Sequence, residues 1–314
     1  MATYQSYTAI GQREDLSDVI ANISPTDTPF MSSVGKTKAT AVYHEWQTDS
    51  LAAAALGGAV EGADASSATM SPTTRSGNRT QIFQKTVQVA GTLEAVDKAG
   101  RKSEKAYQLA KASAEIKRNI ELSLLSNQVA AAGNSSTART MGGLQAWLST
   151  NGDFAGDGAA GSAGTTARTE GTGRTFTEAI LKTVVKEVYQ SGGNPKVLMV
   201  NPAHKQTVSA FAGIAAQRYM APSNEATTIV GAADVYLSDF GTMSVVPNRF
   251  MNADNNGDTC AFVLDPEYAA VAYLRPFSTN ELAKTGDSEK TQIIAELTLE
   301  VKNQAAHGLI GDLS

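Results

Sequence analysis

Cysteine, histidine and long apolar runs are scarce in this sequence, and each scarcity excludes a class of protein. The single cysteine, Cys260, cannot form a disulfide within the chain, which excludes a disulfide-stapled secreted scaffold. His44, His204 and His307 lie far apart, without a second ligand at metal-binding spacing. No run of roughly 18 apolar residues occurs, so no membrane-spanning helix is predicted. The opening residues, MATYQSY, lack a basic and apolar export signal, so we expect cytoplasmic synthesis.

Charge is also sparse. Charged residues make up 18% of the chain and apolar residues 42%, whereas soluble proteins average about 25% charged residues. Much of the surface is therefore expected to contact other proteins. The net charge of −5 gives no basic field that would attract nucleic acid, so sequence-specific DNA binding is not expected.

Two short motifs imitate ligand sites but lack what the chemistry needs. Residues 156–161 match GxGxxG, yet both flanks are glycine-rich rather than the strand and helix that a dinucleotide site requires. Residues 252–257 resemble the start of an EF-hand loop, but its twelfth position is Val263 instead of a bidentate acid. We therefore expect neither a cofactor nor a metal ion, and no catalytic residue is identified.

A long amphipathic helix is predicted over residues 103–127. Its apolar positions recur at steps of three and four, which defines a single stripe. At about 1.5 Å per residue the rod would be nearly 40 Å long. The pairs Lys111 with Glu115 and Lys117 with Glu121 are expected to support its exposed face. The stripe consists of Leu109, Ala112, Ile116, Ile120 and Leu124.

The second half of the chain reads as a mixed α/β unit. A capping box over residues 175–178 should begin a helix that stops at Gly192, and a buried strand over 196–200 should precede a helix capped by Asn201. Short strands are predicted at 233–238, 243–247, 259–264 and 269–274. A last strand, 291–303, alternates regularly, with the face of Ile293, Ala295, Leu297, Leu299 and Val301 buried and the other face wet.

The remaining segments read as arms and links. The small, polar stretch 52–78 separates strand-like runs at 42–46 and 79–90, which predicts a projecting two-stranded hairpin with a long tip. Residues 151–174 are rich in glycine and are expected to be a linker between two structural regions.

Residues 11–51 carry a resemblance to a known family. The runs REDLSDVI, NISPTDTPF and HEWQTDSL closely resemble the N-terminus of tailed-bacteriophage major capsid proteins with the HK97-type shell fold. Stretches 83–91 and 295–308 extend the likeness. The resemblance implies an α+β fold with an N-terminal arm, an extended E-loop hairpin, a P-domain with a long spine helix and a mixed α/β A-domain. The implied regions are 1–40 (arm), 41–90 (E-loop), 91–150 (P-domain), 151–174 (insertion), 175–280 (A-domain) and 281–314 (returning P-domain strand and tail).

The resemblance also implies a function. Copies of the chain would assemble into hexamers and pentamers of an icosahedral head, within a virion made in the host cytoplasm. The head would enclose double-stranded DNA without sequence specificity. Partners would be other copies, a portal, and decoration or scaffolding proteins, with no membrane, cofactor or enzymatic activity. Since the family-like arm starts within about ten residues of Met1, we expect a separate scaffold or none.

Candidate intersubunit contacts follow from the same resemblance, and each could instead be solvated charge or local core. Deleting residues 1–40 is expected to leave the α/β unit folded and to abolish closed particles. The candidates are Arg13, Glu14, Asp15, Asp18, Pro25, Pro29, Phe30, Trp46, Glu61 and Asp64.

Two alternatives remain open at this level. An encapsulin-type nanocompartment shell would share the fold but hold cargo enzymes instead of DNA. A soluble α/β enzyme with a mobile lid at 151–174 would be a discrete monomer or dimer that binds a small molecule. Two observations distinguish the phage head, the encapsulin-type shell and the soluble enzyme: the size of the purified particles and whether they contain nucleic acid.

Overall fold

The computed structural model describes residues 26–58, 60–62, 64, 67, 70–97, 100, 102–211 and 234–314. None of the helices in these ranges is long and apolar enough to cross a bilayer. The helices are α1 (Pro29–Ser33), α2 (Gly91–Ala95), α3 (Glu104–Leu124), α4 (Leu144–Trp147), α5 (Glu178–Gln190) and α6 (Pro202–Ser209). The strands are β1 (Gly35–Lys38), β2 (Tyr43–Thr48), β3 (Thr74–Arg79), β4 (Gln81–Ala90), β5 (Gly152–Asp153), β6 (Val197–Val200), β7 (Val235–Ser238), β8 (Gly241–Pro247), β9 (Ala261–Leu264), β10 (Ala269–Leu282), β11 (Ser288–Val301) and β12 (Gly308–Ile310).

The predicted long helix is confirmed as α3. Ser103 caps it by accepting a hydrogen bond from the Ala106 amide at 3.1 Å, which satisfies one of the unpaired donors of the first turn. The helix ends at Leu124 rather than at 127. Its apolar stripe packs on a four-stranded sheet in the order β1, β10, β11, β4 and is buried at Ala112, Ile116, Ile120 and Leu124.

The hairpin prediction needs one correction. Strand β2 pairs with β3, from Tyr43 opposite Arg79 to Thr48 opposite Thr74, whereas β4 leaves the hairpin and pairs with β11. The break falls at Thr80, which is fully buried and donates its hydroxyl to Glu296 at 2.8 Å. Residues 79–90 therefore belong mostly to the main sheet, because this corner turns the chain into the body.

The expected wet face of β11 is also wrong. Ile293, Leu297 and Leu299 are buried as predicted, but Glu296, Thr298 and Glu300 on the opposite face are buried too. The hairpin base, the 128–141 loop and strands β1 and β10 supply partners for the carboxylates on that face. Glu296 accepts from Arg275 Nε at 2.7 Å and from Arg139, while Glu300 accepts from the Thr37 hydroxyl at 2.6 Å. These carboxylates can be buried because each accepts hydrogen bonds from nearby side chains, and Glu296 is also paired with two arginines.

The mixed α/β unit is built on a second sheet, in the order β5, β12, β9, β6, β8, β7. Helix α5 is confirmed, but its cap is Thr177, which accepts from the Ile180 amide at 3.4 Å, instead of the predicted box starting at 175. Gly192 follows the helix with φ +90°, a conformation that favours glycine. Asn201 caps α6 as predicted, 2.7 Å from the His204 amide.

The glycine-rich stretch 151–174 is packed against the body instead of linking two regions. Its first residues form β5, which pairs with β12, and Arg168 within it is buried. A Cβ at Gly161 would lie 2.7 Å from the Cα of Ala146, so glycine is needed there for close backbone approach. Composition alone suggested flexibility, whereas the structure uses these residues for tight packing.

Residues 252–257 form a polar turn. Asn252 caps a short 3-10 turn, and Asn256 adopts a left-handed conformation with φ +55°. The buried Asn255 donates to the carbonyl oxygens of Leu122 at 3.1 Å and Phe250 at 2.8 Å. These side chains therefore hold the end of α3 and the loop after β8 together.

The imidazole of His307 should make the fold sensitive to acid. The ring is 1% exposed, and burial lowers its pKa from 6.5 to about 4. Between pH 6.5 and 4 the unfolded chain binds a proton at His307 that the folded chain does not bind, so the stabilising contribution of the neutral ring is fully present above pH 6.5 and is lost as the pH falls towards 4. We expect His307 to contribute about 3 kcal/mol of this loss.

Urea unfolding of unassembled subunits across that pH range measures the effect. His307→Gln should flatten the profile, while the exposed-loop variant Asp157→Asn should keep the wild-type slope below pH 6.5. An unchanged slope in His307→Gln would show that this ring does not cause the acid sensitivity.

Cys260 is a core residue. It is 0% exposed, and burial raises the pKa of its thiol to about 12. Since the thiolate is the reactive form, we expect no reaction with a thiol-specific chromogenic reagent at neutral pH in the folded chain. One equivalent should react after denaturation, and modification of native protein at a comparable rate would contradict this assignment.

Candidate assembly surface

The base of the β2–β3 hairpin is firmly fixed to the body. Asn78 is fully buried and donates to the carbonyl oxygens of Gly142 at 3.0 Å and Leu299 at 2.9 Å, and its own oxygen accepts from the Gly142 amide at 2.8 Å. Trp46 packs on Trp147 with ring centroids 5.3 Å apart. Interior hydrogen bonds and aromatic packing together give the hairpin a defined direction.

The hairpin tip, residues 49–73, contrasts with its base. Every described residue within it is exposed. Four large apolar side chains are among them: Leu51 at 98%, Leu56 at 110%, Val60 at 78% and Met70 at 91% of full exposure. Four large apolar side chains exposed on one projecting segment make the tip a candidate surface for contact with another protein.

The tip also carries charge of one sign. Asp49, Glu61 and Asp64 lie in it, and residues 49–73 contain no lysine or arginine. The sequence analysis singled out Glu61 and Asp64, and both are exposed. The four apolar side chains were missed as contact candidates because they are scattered singly in a stretch of small residues, where they form no periodic pattern. A projecting segment that combines apolar groups with acids fits a partner that is apolar and basic.

A buried carboxylate fixes the start of the described chain. Glu121 on α3 accepts hydrogen bonds from the amides of Phe30 at 2.6 Å and Met31 at 3.0 Å, and from Asn248 Nδ2 at 2.7 Å. Burial raises the pKa of this carboxyl, partly offset by those three donors. The expected surface pair with Lys117 is therefore wrong, because Glu121 points inward and caps α1.

The other predicted contacts fall in different environments. Phe30 is 0% exposed within this chain, so its side chain has no surface to offer a neighbour and the expected intersubunit contact is corrected to a core contact. Trp46 is half-buried against the body, and Pro29 is half-buried at the start of α1. Arg13, Glu14, Asp15, Asp18 and Pro25 lie outside the described residues.

The described residues show no constellation typical of a metal centre, since no three His, Cys, Asp or Glu side chains in these ranges come together as ligands. His44 lies 3.2 Å from Glu300, and His204 lies 2.7 Å from the Asp258 carbonyl oxygen. Both rings are thus engaged in local contacts that hold the fold.

The architecture is that of a known class of shell proteins. The capsid asymmetric unit of cyanophage A-1(L) has a TM-score of 0.70 at 13% identity, covering 96% of this chain and 97% of that one. The holo-SrpI encapsulin complex of Synechococcus elongatus PCC 7942 has a TM-score of 0.56 at 11% identity, covering 97% and 93%. These likenesses define an HK97-type capsid fold.

Sequence comparison then separates phage capsids from encapsulins. The SU10 major capsid protein family matches residues 2–314, and the chain belongs to that family. A relative, the major capsid protein of Escherichia phage Phieco32, is 28% identical over 355 aligned positions, covering 98% of this chain and 96% of the relative. The protein is therefore a phage major capsid protein, a structural component of the virion.

Proposed function

We propose that copies of this capsid protein form the hexamers and pentamers of an icosahedral head that encloses double-stranded DNA. The observation that carries the proposal is the hairpin tip, whose apolar side chains are exposed in the single chain. A fixed base with an exposed tip suits contacts made at slightly different angles around a closed shell. The net charge of −5 supports enclosure of DNA without sequence-specific binding.

The proposal gives each region a role. The β2–β3 hairpin is the E-loop, and α3 is the spine helix of the P-domain. The sheet that packs with α5 and α6 forms the A-domain. Because β4 pairs with β11, the boundary between E-loop and P-domain moves from 90 to Thr80. The proposed regions are then 1–40, 41–80, 81–150, 151–174, 175–280 and 281–314.

Partners follow from the same role. Other copies of the chain are the main partner, joined by a portal and by scaffolding or decoration proteins, and synthesis takes place in the host cytoplasm. Within the candidate contacts, Glu61 and Asp64 gain support from their exposure in the tip. Arg13, Glu14, Asp15, Asp18 and Pro25 stay proposals, as do partial contacts by Pro29 and Trp46.

Electron microscopy of the assembled protein, combined with nuclease-protected nucleic acid from particles made during infection, tests the proposal. We expect closed icosahedral particles that protect double-stranded DNA. Particles that hold a protein cargo and no DNA would favour the encapsulin-type alternative, and a discrete monomer or dimer would overturn the shell. The enzyme alternative loses its expected lid, because residues 151–174 pack on the body through Arg168 and β5.

The structure also changes which residues a truncation test of the arm should remove. Deletion of residues 1–40 would take away Phe30, which is fully buried, and strand β1, which pairs with β10. Such a chain would lose part of its core together with the arm. Deletion of residues 1–25 keeps both elements and is the sharper test of the arm in assembly.

A further inference from the structure

A small cleft is formed by helix α5 and the turn between β7 and β8. It has a volume of about 220 Å³, whereas pockets for drug-sized ligands have roughly 300–1,000 Å³. The cleft therefore has room for one small ring. Its lining combines an aromatic ring with a hydroxyl group and charges of both signs, and it includes Lys182, Thr183, Lys186, Asp239 and Phe240.

The aromatic ring in the lining is held in a fixed position. Phe240 stacks on Tyr189 of α5, with ring centroids 4.7 Å apart and ring planes inclined by 27°. The Ser238 hydroxyl holds the turn, because it donates to the Gly241 carbonyl oxygen at 2.7 Å and accepts from the Phe240 amide at 3.3 Å. Phe240 is nevertheless 37% exposed and Tyr189 is 53% exposed. Since the ring is already ordered, a ligand that packs on it has little conformational entropy to overcome.

The polar side chains of the cleft offer both donors and acceptors. Lys182 is paired with Glu178 at 2.9 Å, whereas Lys186 has no ion pair within the parts of the chain that the structure describes. The Thr183 hydroxyl donates to a carbonyl oxygen of its own helix at 3.0 Å, so its lone pairs are left to accept. Asp239 adds a carboxylate acceptor. Because charges of both signs line the cleft, a ligand with a net charge would meet a like charge there.

We propose that this cleft binds a neutral pyranose sugar. The C–H groups on one face of a pyranose ring carry small positive partial charges, which pack on the negative face of an aromatic ring such as that of Phe240. The sugar hydroxyls donate and accept hydrogen bonds at once, so they match the Asp239 carboxylate and the Lys186 ammonium together. An acidic ligand would be repelled by Asp239, and a basic one by Lys186. The inference goes beyond the proposed shell function, because one chain supplies every group.

A titration of unassembled subunits, followed by the NMR shifts of backbone amides, tests the class of ligand. The probes are the methyl glycosides of glucose, galactose and N-acetylglucosamine. At least one should give saturable shifts at Thr183, Lys186 and Asp239, with a dissociation constant of about 1–10 mM, because a single small ring makes few contacts. Glucuronate and glucosamine, which carry a charge, should bind about threefold or more weakly than the corresponding neutral glycoside.

Variants of the lining test the place of binding. Phe240→Ala should weaken binding of the same probe by about tenfold or more, because the aromatic face is lost. Asp239→Ala should have a similar effect through the lost acceptor. If Phe240→Ala does not fold, Phe240→Leu keeps an apolar side chain without the aromatic face and should show the same loss. Tyr189→Phe keeps the stack and should bind as the wild type does. Phe277→Ala is the matched control, since it removes an aromatic ring that is 38% exposed on β10.

Each outcome decides the matter. Saturable binding that Phe240→Ala weakens and Phe277→Ala leaves unchanged supports the site. Absence of saturable shifts with all three methyl glycosides overturns the inference, and so does equal affinity of Phe240→Ala and the wild type. Tighter binding of glucuronate or glucosamine than of the neutral glycosides would show that the class of ligand is wrong. If the wild type binds no sugar and Phe240→Ala fails to form shells, the stacked rings are a contact between subunits instead.

Discussion

Replacement of residues 49–73 by Asn-Gly should give a folded subunit that forms no shells. Thr48 and Thr74 are the last paired residues of the hairpin, and a two-residue Asn-Gly turn joins such strands with the correct twist. All described residues in the deleted stretch are exposed, so the core of the subunit is untouched. The lost intersubunit surface should abolish assembly even at high protein concentration.

Circular dichroism and sedimentation together measure this result. The unfolding temperature of the shortened subunit should match that of unassembled wild type, and no fast-sedimenting particles should appear. A length-preserving variant, with Leu51, Leu56, Val60 and Met70 changed to serine, should also fail to assemble. Its matched control changes four alanines, at 52–55, to serine and should form shells. Full-sized shells from the shortened chain would show that the tip is dispensable.

Arg168→Met should lower the free energy of unfolding by about 3–5 kcal/mol, because breaking one side of a buried ion pair leaves the other charge uncompensated. Arg168 donates from Nη1 to Asp312 Oδ1 at 2.7 Å, and both side chains are 0% exposed. Arg168 Nη2 also donates to the Thr259 hydroxyl at 3.1 Å. The pair ties the glycine-rich stretch to the C-terminal segment, so its loss should loosen both.

Urea unfolding of unassembled subunits is the measurement, because assembly would add stability through binding. Adding Asp312→Asn to Arg168→Met should restore part of the loss, since it removes the stranded charge, and asparagine tolerates the φ of +59° at that position. Arg174→Met is the control. Its pair with Asp153 is 24% exposed on each side, so its loss should cost about 1 kcal/mol or less. Equal costs for the two arginine variants would contradict the assigned role.

Local periodicity was enough to predict several of the regular elements. The stripe of α3, the strand before Asn201 and the buried face of β11 follow from spacing that depends only on neighbours in sequence. The resemblance of residues 11–51 gave the shell fold and the family. Both kinds of signal act within single segments, which is why they describe elements better than contacts.

Contacts between distant segments explain the errors. Glu121 looks like the partner of Lys117 four residues earlier, and only the approach of Phe30 and Asn248 turns it into a buried acceptor. Glu296 reads as solvent-facing until Arg139 and Arg275 cover it. No periodic pattern encodes such partners, since each is separated from its carboxylate by a loop or more.

The difference between the fixed hairpin base and its exposed tip bears on how a shell of such subunits would curve. The bonds of Asn78 hold the base in one orientation relative to the body, and the tip begins only beyond Thr48 and Thr74. In the proposed shell, a body of constant shape would sit in rings of five or six subunits while the contact between neighbours adjusts. In the proposed shell, curvature would then be set by the contacts between subunits rather than by the shape of the subunit itself.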